Sequence, residues 1–380
     1  MANKSKRKSE FNYRETLVPD YDLPATLVAG DGSAIRSTEQ WETTRRPELM
    51  QLFREEVYGL RPATQPRVRY ETLERQTVFD GKATGLQVKA LIEHQGKEHA
   101  FEFTVFIPNQ DNPAPLLVHI NNRYLISLQS AIQKEDPFWP ARMIVKRGYA
   151  TASFHTSDVD PDQADGYEKG VRCLLDDPDS DLSTRWRSLS AWGWGASRVL
   201  DFAAELKSID PTRAAVIGHS RGGKAALWAA AEDPRFTLAY SNNSGCGGAA
   251  LSRRRFGETV GRITSVFPHW FTDRFANYAG REDQLPIDQH QLISLIAPRS
   301  VYVASADQDL WADPRGEYLA LIGAADVFEL YGETSISQTT MPPLGEPRHI
   351  GATGYHIRGG KHNLTELDWK HFLDFAATRF

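Results

Sequence analysis

Residues 214 to 236 read AAVIGHSRGGKAALWAAAEDPRF, and no other stretch restricts the fold as tightly. The run Ala214 to Ile217 is apolar at every position, which suits a strand covered on both faces. Directly after it, residues 223 to 232 (GKAALWAAAE) carry a helical pattern rich in strong helix formers. Between the two stands a complete G-x-S-x-G: Gly218, His219, Ser220, Arg221 and Gly222. A strand that passes into a helix over so few residues tolerates only small neighbours around the serine. Such a turn lifts the hydroxyl above the sheet and sets it at a helix N-terminus, where developing negative charge is favoured. Ser220 is therefore read as a nucleophile, against the plainer reading of an ordinary strand-to-helix turn.

The remaining chain supplies the sheet that this turn requires. Residues 114 to 121 (APLLVHIN), 150 to 155 (ATASFH) and 300 to 306 (SVYVASA) are short apolar runs, and 100 to 108 (AFEFTVFIP) alternates as a half-buried strand. Helical patterns lie over 189 to 206, 223 to 232, 315 to 323 and 364 to 380. Strands alternating with helices predict an α/β-hydrolase fold, a three-layer αβα sandwich around a mostly parallel, doubly wound sheet. No repeat, low-complexity block or Pro/Gly/Ser linker divides the chain. Residues 1 to 40 are read as a partly mobile N-terminal extension, and 41 to 380 as a single catalytic domain.

Composition narrows the function more than the fold. A formal net charge of −5 with dispersed Lys and Arg gives no nucleic-acid footprint. The basic cluster KSKRK (4 to 8) is read as a solvated, mobile tail. No window reaches the ~18 apolar residues of a membrane span, and the first thirty residues lack the apolar core of a secretory signal. As written, the chain is expected in the cytoplasm, or in the periplasm or outside the cell if a leader has been removed. Cys173 and Cys246 form neither a disulfide framework nor a metal spacing and are read as buried free thiols. The acid-rich HTSDVDPDQADGYEKG (155 to 170) is read as solvated loop charge rather than a cation site. Neither a metal nor a cofactor is expected.

A serine hydroxyl needs a base within hydrogen-bond reach and a carboxylate that orients the base. In this fold they follow the serine in the order acid, then histidine. Beyond the 300 to 306 strand stand His349, His356, His362 and His371. The stretch HIGATGYHIRGGKHNLTELDW (349 to 369) reads as a last strand through about Arg358, a glycine-rich loop, and a helix capped near Asn363 or Thr365. His362, on that loop, is the candidate base. His356 is the alternative, although a place inside the strand puts its ring in the core or in a hydrogen bond there; His371 falls on a helix face. VASADQDLWADP (303 to 314) offers the acid: Asp309 by its offset from the strand, Asp307 as runner-up, and Asp313 before Pro314 as a helix start or cap. The bland view makes all three solvated loop charges, which would leave the imidazole poorly oriented.

With these residues in view, the chain resembles carbohydrate esterase family fifteen, the glucuronoyl esterases and their bacterial relatives. The likeness runs from WETTRRPELMQLFREEVYG (41 to 59) through GHSRGGKAALW, NNSGCGGAA and HWFTDRFANYAGREDQLPIDQHQLISLIAPR to DLWADP, most of the chain. The resemblance implies cleavage, through an acyl-enzyme and without a cofactor, of an ester on the carboxylate of a glucuronic acid unit, as in links between lignin alcohols and glucuronoxylan. It implies Ser220 as nucleophile, His362 as base, and Arg221 as holder of the oxyanion through its backbone N–H and side chain. Lys224 is implied as a contact to the uronate hydroxyls, Trp311 as the face against which the sugar lies, and Trp270 as a further substrate contact. The expected partner is a carbohydrate or small-ester substrate, with no nucleic acid and no membrane, and the expected state is a monomer.

Three departures matter. Many members carry the acid as a glutamate just before the SGxGG turn, where this chain has Asn243; an amide cannot stabilise an imidazolium by charge, which again directs the role to Asp309. The disulfide of fungal members would join positions held here by His219 and Asn363. The glutamine and glutamate that grip the uronate correspond to Thr259 and Phe267, leaving the adjacent Glu258 as the substitute. That loss opens one alternative, an acetylxylan or other small-acyl carboxylesterase; the alternative from another class is a catalytically idle carbohydrate-binding scaffold, against which Ser220, His362 and a candidate acid all stand.

Overall fold

Strands without a polar face must be covered on two sides, and helices cover them here. The computed structural model describes residues 11–124 and 126–380, so the basic cluster at 4 to 8 lies outside the described residues. Among them, ten strands form one sheet: β1 (Arg67–Val78), β2 (Ala83–His94), β3 (Lys97–Pro108), β4 (Ala114–Asn121), β5 (Ala150–His155), β6 (Ile209–His219), β7 (Phe236–Asn242), β8 (Ser300–Ala306), β9 (Arg348–Ile350) and β10 (Thr353–Arg358). Their order is β1-β2-β3-β5-β4-β6-β7-β8-β10-β9. The neighbours from β5 to β10 run parallel. Antiparallel pairs close both edges, β1 to β3 on one side and β9 on the other. This is the α/β-hydrolase fold expected from the sequence.

The alternation within β6 shows how the two faces are filled. Ala214 and Val216 join the core that holds Trp228 and Trp192, whereas Ala215 and Ile217 join the core that holds Trp369 and Phe372. The helices Ser188–Ala204 and Arg221–Glu232 cover the first face, and Glu366–Ala376 covers the second. Burying each such Val or Ile side chain contributes roughly 1.5–3 kcal/mol, so a polar residue at either face of β6 would be costly. β3 differs from its expected half-burial: its second half is buried on both faces, because Phe103, Val105 and Ile107 point into the first core while Phe106 points into the second.

Residues 11 to 40 lie against the body of the molecule. The Asn12 carbonyl accepts from the Gly257 N–H at 2.8 Å, and the Pro24 carbonyl meets His290 at 3.0 Å and the Gln291 amide at 3.2 Å. Cys246 is buried, but Cys173 is only half-buried, which corrects the expectation of two buried thiols. No helix among the described residues is long and apolar enough to cross a membrane.

β4 and β6 are sheet neighbours although β5 lies between them in the chain, so the winding reverses there. Crevices outside the carboxyl ends of the strands at such a reversal are the usual ligand sites of open α/β sheets. Ser220 follows β6, Asp309 follows β8, His362 follows β10 and Asp162 follows β5. All four are delivered to one edge of the sheet.

Candidate active site

Ser220 sits at φ 56°, ψ −123°, a conformation that L side chains rarely adopt. The elbow holds it there by crowding. A Cβ on Gly218 would lie 2.1 Å from the Gly222 backbone, and one on Gly222 would lie 2.6 Å from the Ile120 carbonyl oxygen. The Ser220 N–H donates to the Asn242 carbonyl at 2.8 Å, anchoring the turn to β7. Arg221 opens the following helix, so its N–H is among the first-turn donors without an intrahelical acceptor.

Ser220 lines a cavity of about 370 Å³ together with Arg221, Lys224, Asn243, Ser244, Gly245, Glu258, Phe267, Trp270, Asp309, Trp311, Ala312 and His362. The His362 Nδ1 lies 2.5 Å from the Asp309 carboxylate. Asp309 is only 5 % exposed, whereas the His362 side chain is 40 % exposed. A carboxylate on Nδ1 directs the other ring nitrogen, Nε2, to be the proton acceptor. Among the described residues the Ser220 hydroxyl has no hydrogen-bond partner, and it shares the cavity with His362. His219 packs against His362 with ring centroids 4.4 Å apart and bonds the Asn242 side chain at 2.6 Å. Burial, and next the neighbouring His362, hold His219 well below the usual imidazole range. It stays neutral and does not compete as a base.

The other candidates are sorted by their partners. Asp307 accepts the Gly360 N–H at 2.8 Å and so braces the loop that carries His362. Asp313 caps the helix Pro314–Gly323 through the Gly316 N–H at 2.9 Å and pairs with Arg254 at 2.8 Å. His356 is fully buried between the Asp368 carboxylate and the Tyr302 hydroxyl, each at 2.9 Å. His371 is buried beside it, ring centroids 4.9 Å apart. Thr365, rather than Asn363, caps the last helix, in a capping box with Asp368.

The substrate-side residues split. Lys224 is buried, 3 % exposed, and its ammonium donates to the Ser244 carbonyl. Burial lowers its pKa while Glu258 raises it again. Burial raises the Glu258 carboxyl, opposed by Lys224 and the Trp311 indole. Trp311 faces the cavity with Phe11 packed edge-on at 4.9 Å. Trp270 lines the wall, but Phe267 covers one ring face in a parallel stack 3.8 Å away. Thr259 does not line the cavity: it caps the helix Val260–Val266, whereas the adjacent Glu258 does line it.

Two residues of the site were not identified as such from sequence. Asn243, treated there only as a lost acid, donates its amide to Asp309 at 2.9 Å. Asp162 binds Arg221 and also accepts from His269 Nε2 at 2.8 Å and Trp270 Nε1 at 2.7 Å. The reading of 155 to 170 as solvated charge is therefore corrected, since Asp162 is turned inward and Asp160 is fully buried on Arg172 at 2.8 Å. The usable signal was position: an acid-rich segment beginning at the carboxyl end of a central strand.

A strained serine on the sheet's carboxyl edge, within one cavity with a histidine on a buried carboxylate, defines an α/β-hydrolase of the nucleophile-elbow type. Comparison with known proteins places it further. A family model described as "Glucuronyl esterase, fungi" matches residues 91–332. Carbohydrate esterase MZ0003, from an unknown prokaryotic organism, is 36 % identical over 96 % of this chain and 91 % of its own length. A 4-O-methyl-glucuronoyl methylesterase of Podospora anserina is 31 % identical over 72 % of this chain and 53 % of its own. The solved glucuronoyl esterase from Solibacter usitatus superposes with a TM-score of 0.89 at 36 % identity, covering 96 % of this chain and 100 % of that one. The chain belongs to the glucuronoyl esterase family, CE15, and is a carboxylic-ester hydrolase.

Proposed function

We propose that this enzyme hydrolyses esters on the carboxylate of glucuronic acid units in plant-type polysaccharide, the links between lignin alcohols and glucuronoxylan, through an acyl-enzyme on Ser220. The reading is carried by one observation: the 2.5 Å contact between His362 and Asp309 within the cavity that Ser220 lines. His362 removes the Ser220 proton, and the alkoxide attacks the ester carbonyl. Negative charge then develops on the carbonyl oxygen, where the Arg221 N–H and guanidinium stabilise it. The tetrahedral intermediate collapses as His362 protonates the departing alcohol. Water, deprotonated by His362, next attacks the acyl carbon, and Ser220 leaves with the proton returned by His362. Asp309 holds the imidazole's tautomer and stabilises its charged form. Lys224 and Glu258 bind the sugar hydroxyls, and Trp311 offers a flat face to the pyranose.

A second reading, a small-acyl esterase acting on acetylated hemicellulose, is favoured by Phe267, an apolar ring on the wall where a uronate-gripping carboxylate is expected. Hydrolysis of benzyl glucuronate and of acetylated xylan, by wild type and Ser220→Ala, tests both. The glucuronoyl reading expects preference for benzyl glucuronate and no turnover by a folded Ser220→Ala protein. Preference for the acetyl ester would select the second reading, and serine-independent hydrolysis would reject both.

A further inference from the structure

Arg221 carries the charge aimed at the oxyanion, but its side chain has several rotatable bonds and is about one-third exposed, 31 %. A long cation at the mouth of a cavity is a poor donor unless something fixes it. The carboxylate of Asp162 does so from the loop after β5: one oxygen accepts from Arg221 Nη1, and the other accepts from both His269 Nε2 and Trp270 Nε1. The guanidinium is also held over the Trp270 ring at 5.1 Å and the Phe267 ring at 5.9 Å. Its Nε is buried with no acceptor among the described residues, and Asp162 engages it through Nη1.

The support beneath Asp162 is itself rigid. Two residues earlier, Asp160 is fully buried, pairs with Arg172 at 2.8 Å, accepts from the Ser188 hydroxyl at 2.7 Å, and gives its carbonyl to the Trp192 indole at 2.8 Å. Gly170 closes the far end of the loop so tightly that a Cβ there would lie 2.1 Å from the Asp160 carboxylate. A preorganised donor needs no rearrangement as charge develops, and that is where most of its effect on rate comes from.

We propose that Asp162 is a positioning residue for ester hydrolysis, fixing the Arg221 guanidinium over the oxyanion and tying it to the Trp270 wall. The proposal rests on Arg221 serving the oxyanion, as above. Burial alone would raise the Asp162 carboxyl, but the bonds from His269, Arg221 and Trp270 outweigh it and hold the group at about 2. The clamp is therefore charged throughout the working range of an imidazole base.

The test measures kcat and KM for p-nitrophenyl acetate in Asp162→Asn and Asp162→Glu, each made in the wild type and in Arg221→Ala. Asn removes the charge, and Glu keeps it one methylene out of place. In the wild type each is expected to lower kcat about 100-fold, the scale of an ångström-sized misplacement, with KM within about threefold. In Arg221→Ala the same changes are expected to shift kcat less than about twofold, because the group they act through is gone. Equal losses in both backgrounds would assign Asp162 to supporting the wall and overturn the proposal, as would unchanged kcat in the wild type. Either variant suffices if the other does not fold. Ser220→Ala, measured alongside, separates the two levels: its full turnover would reject the serine reading itself.

Discussion

Replacing Asp309 by asparagine keeps its shape and removes its charge. In the transition state His362 becomes an imidazolium whose Nδ1 lies 2.5 Å from the carboxylate oxygen. With charge centres about 4 Å apart, the attraction is about 4 kcal/mol at an effective dielectric constant of ~20. The imidazole is 40 % exposed, so solvent screens part of this and leaves about 2–4 kcal/mol. That corresponds to a loss of about 30- to 1,000-fold in kcat. KM should change little, since the charge it stabilises is absent from the ground state. The assay is steady-state hydrolysis of p-nitrophenyl acetate and benzyl glucuronate. Asp307→Asn is the control, because an amide oxygen still accepts the Gly360 N–H and the substitution should leave kcat within about twofold. Equal losses from the two changes, or a loss from Asp307→Asn alone, would refute the assignment of Asp309 as the acid.

Three further outcomes are expected. Asn243→Ala removes the 2.9 Å donor to Asp309; about 1–2 kcal/mol of support is lost, seen as a fall in kcat of about 5- to 30-fold. Gly218→Ala places a methyl 2.1 Å from the Gly222 backbone, and should cost about 3 kcal/mol or more, read as a lowered urea midpoint with turnover abolished. Glu317 is fully buried beneath the Ser244–Gly245 turn, and burial pushes its carboxyl from 4.5 up to about 8 against hydrogen bonds from Ser305, Gly245 and Ser244. The folded state thus keeps a proton that the unfolded chain releases above pH 4.5, so this group's contribution to stability falls as pH rises from 4.5 through 8. Glu317→Gln, which mimics the neutral acid, should flatten that part of the melting temperature against pH curve; an unchanged slope would exclude Glu317 as its source.

The sequence by itself determined the central parallel strands that carry the site and the places where chemistry hangs from them, but not the antiparallel edge pair β1 and β2, nor β7. Residues 114 to 121, 150 to 155 and 300 to 306 are strands to the residue, because an apolar run bounded by turn formers has few other ways to fold. Ser220 was legible because its elbow is local: glycine spacing, strand and helix all fall within about twenty residues. The pairing of Asp309 with His362 was legible too, from chain order and strand offset, whereas the partners of Arg221 and of Asp309's far side were decided only by the tertiary structure. Asp162 reaches Arg221 across 59 residues of chain, and Asn243 reaches Asp309 across 66. Nothing in the local pattern around 155 to 170 separates an inward carboxylate from a solvated one, since the difference is made by β5 and β6 delivering their loops to the same sheet edge. Patterning reports what each residue does for its own element. The fold's fixed order exposes the partner of His362, but the partners of Asp162 and Asn243 are set by distant elements packing together, and spacing along the chain carries no record of those.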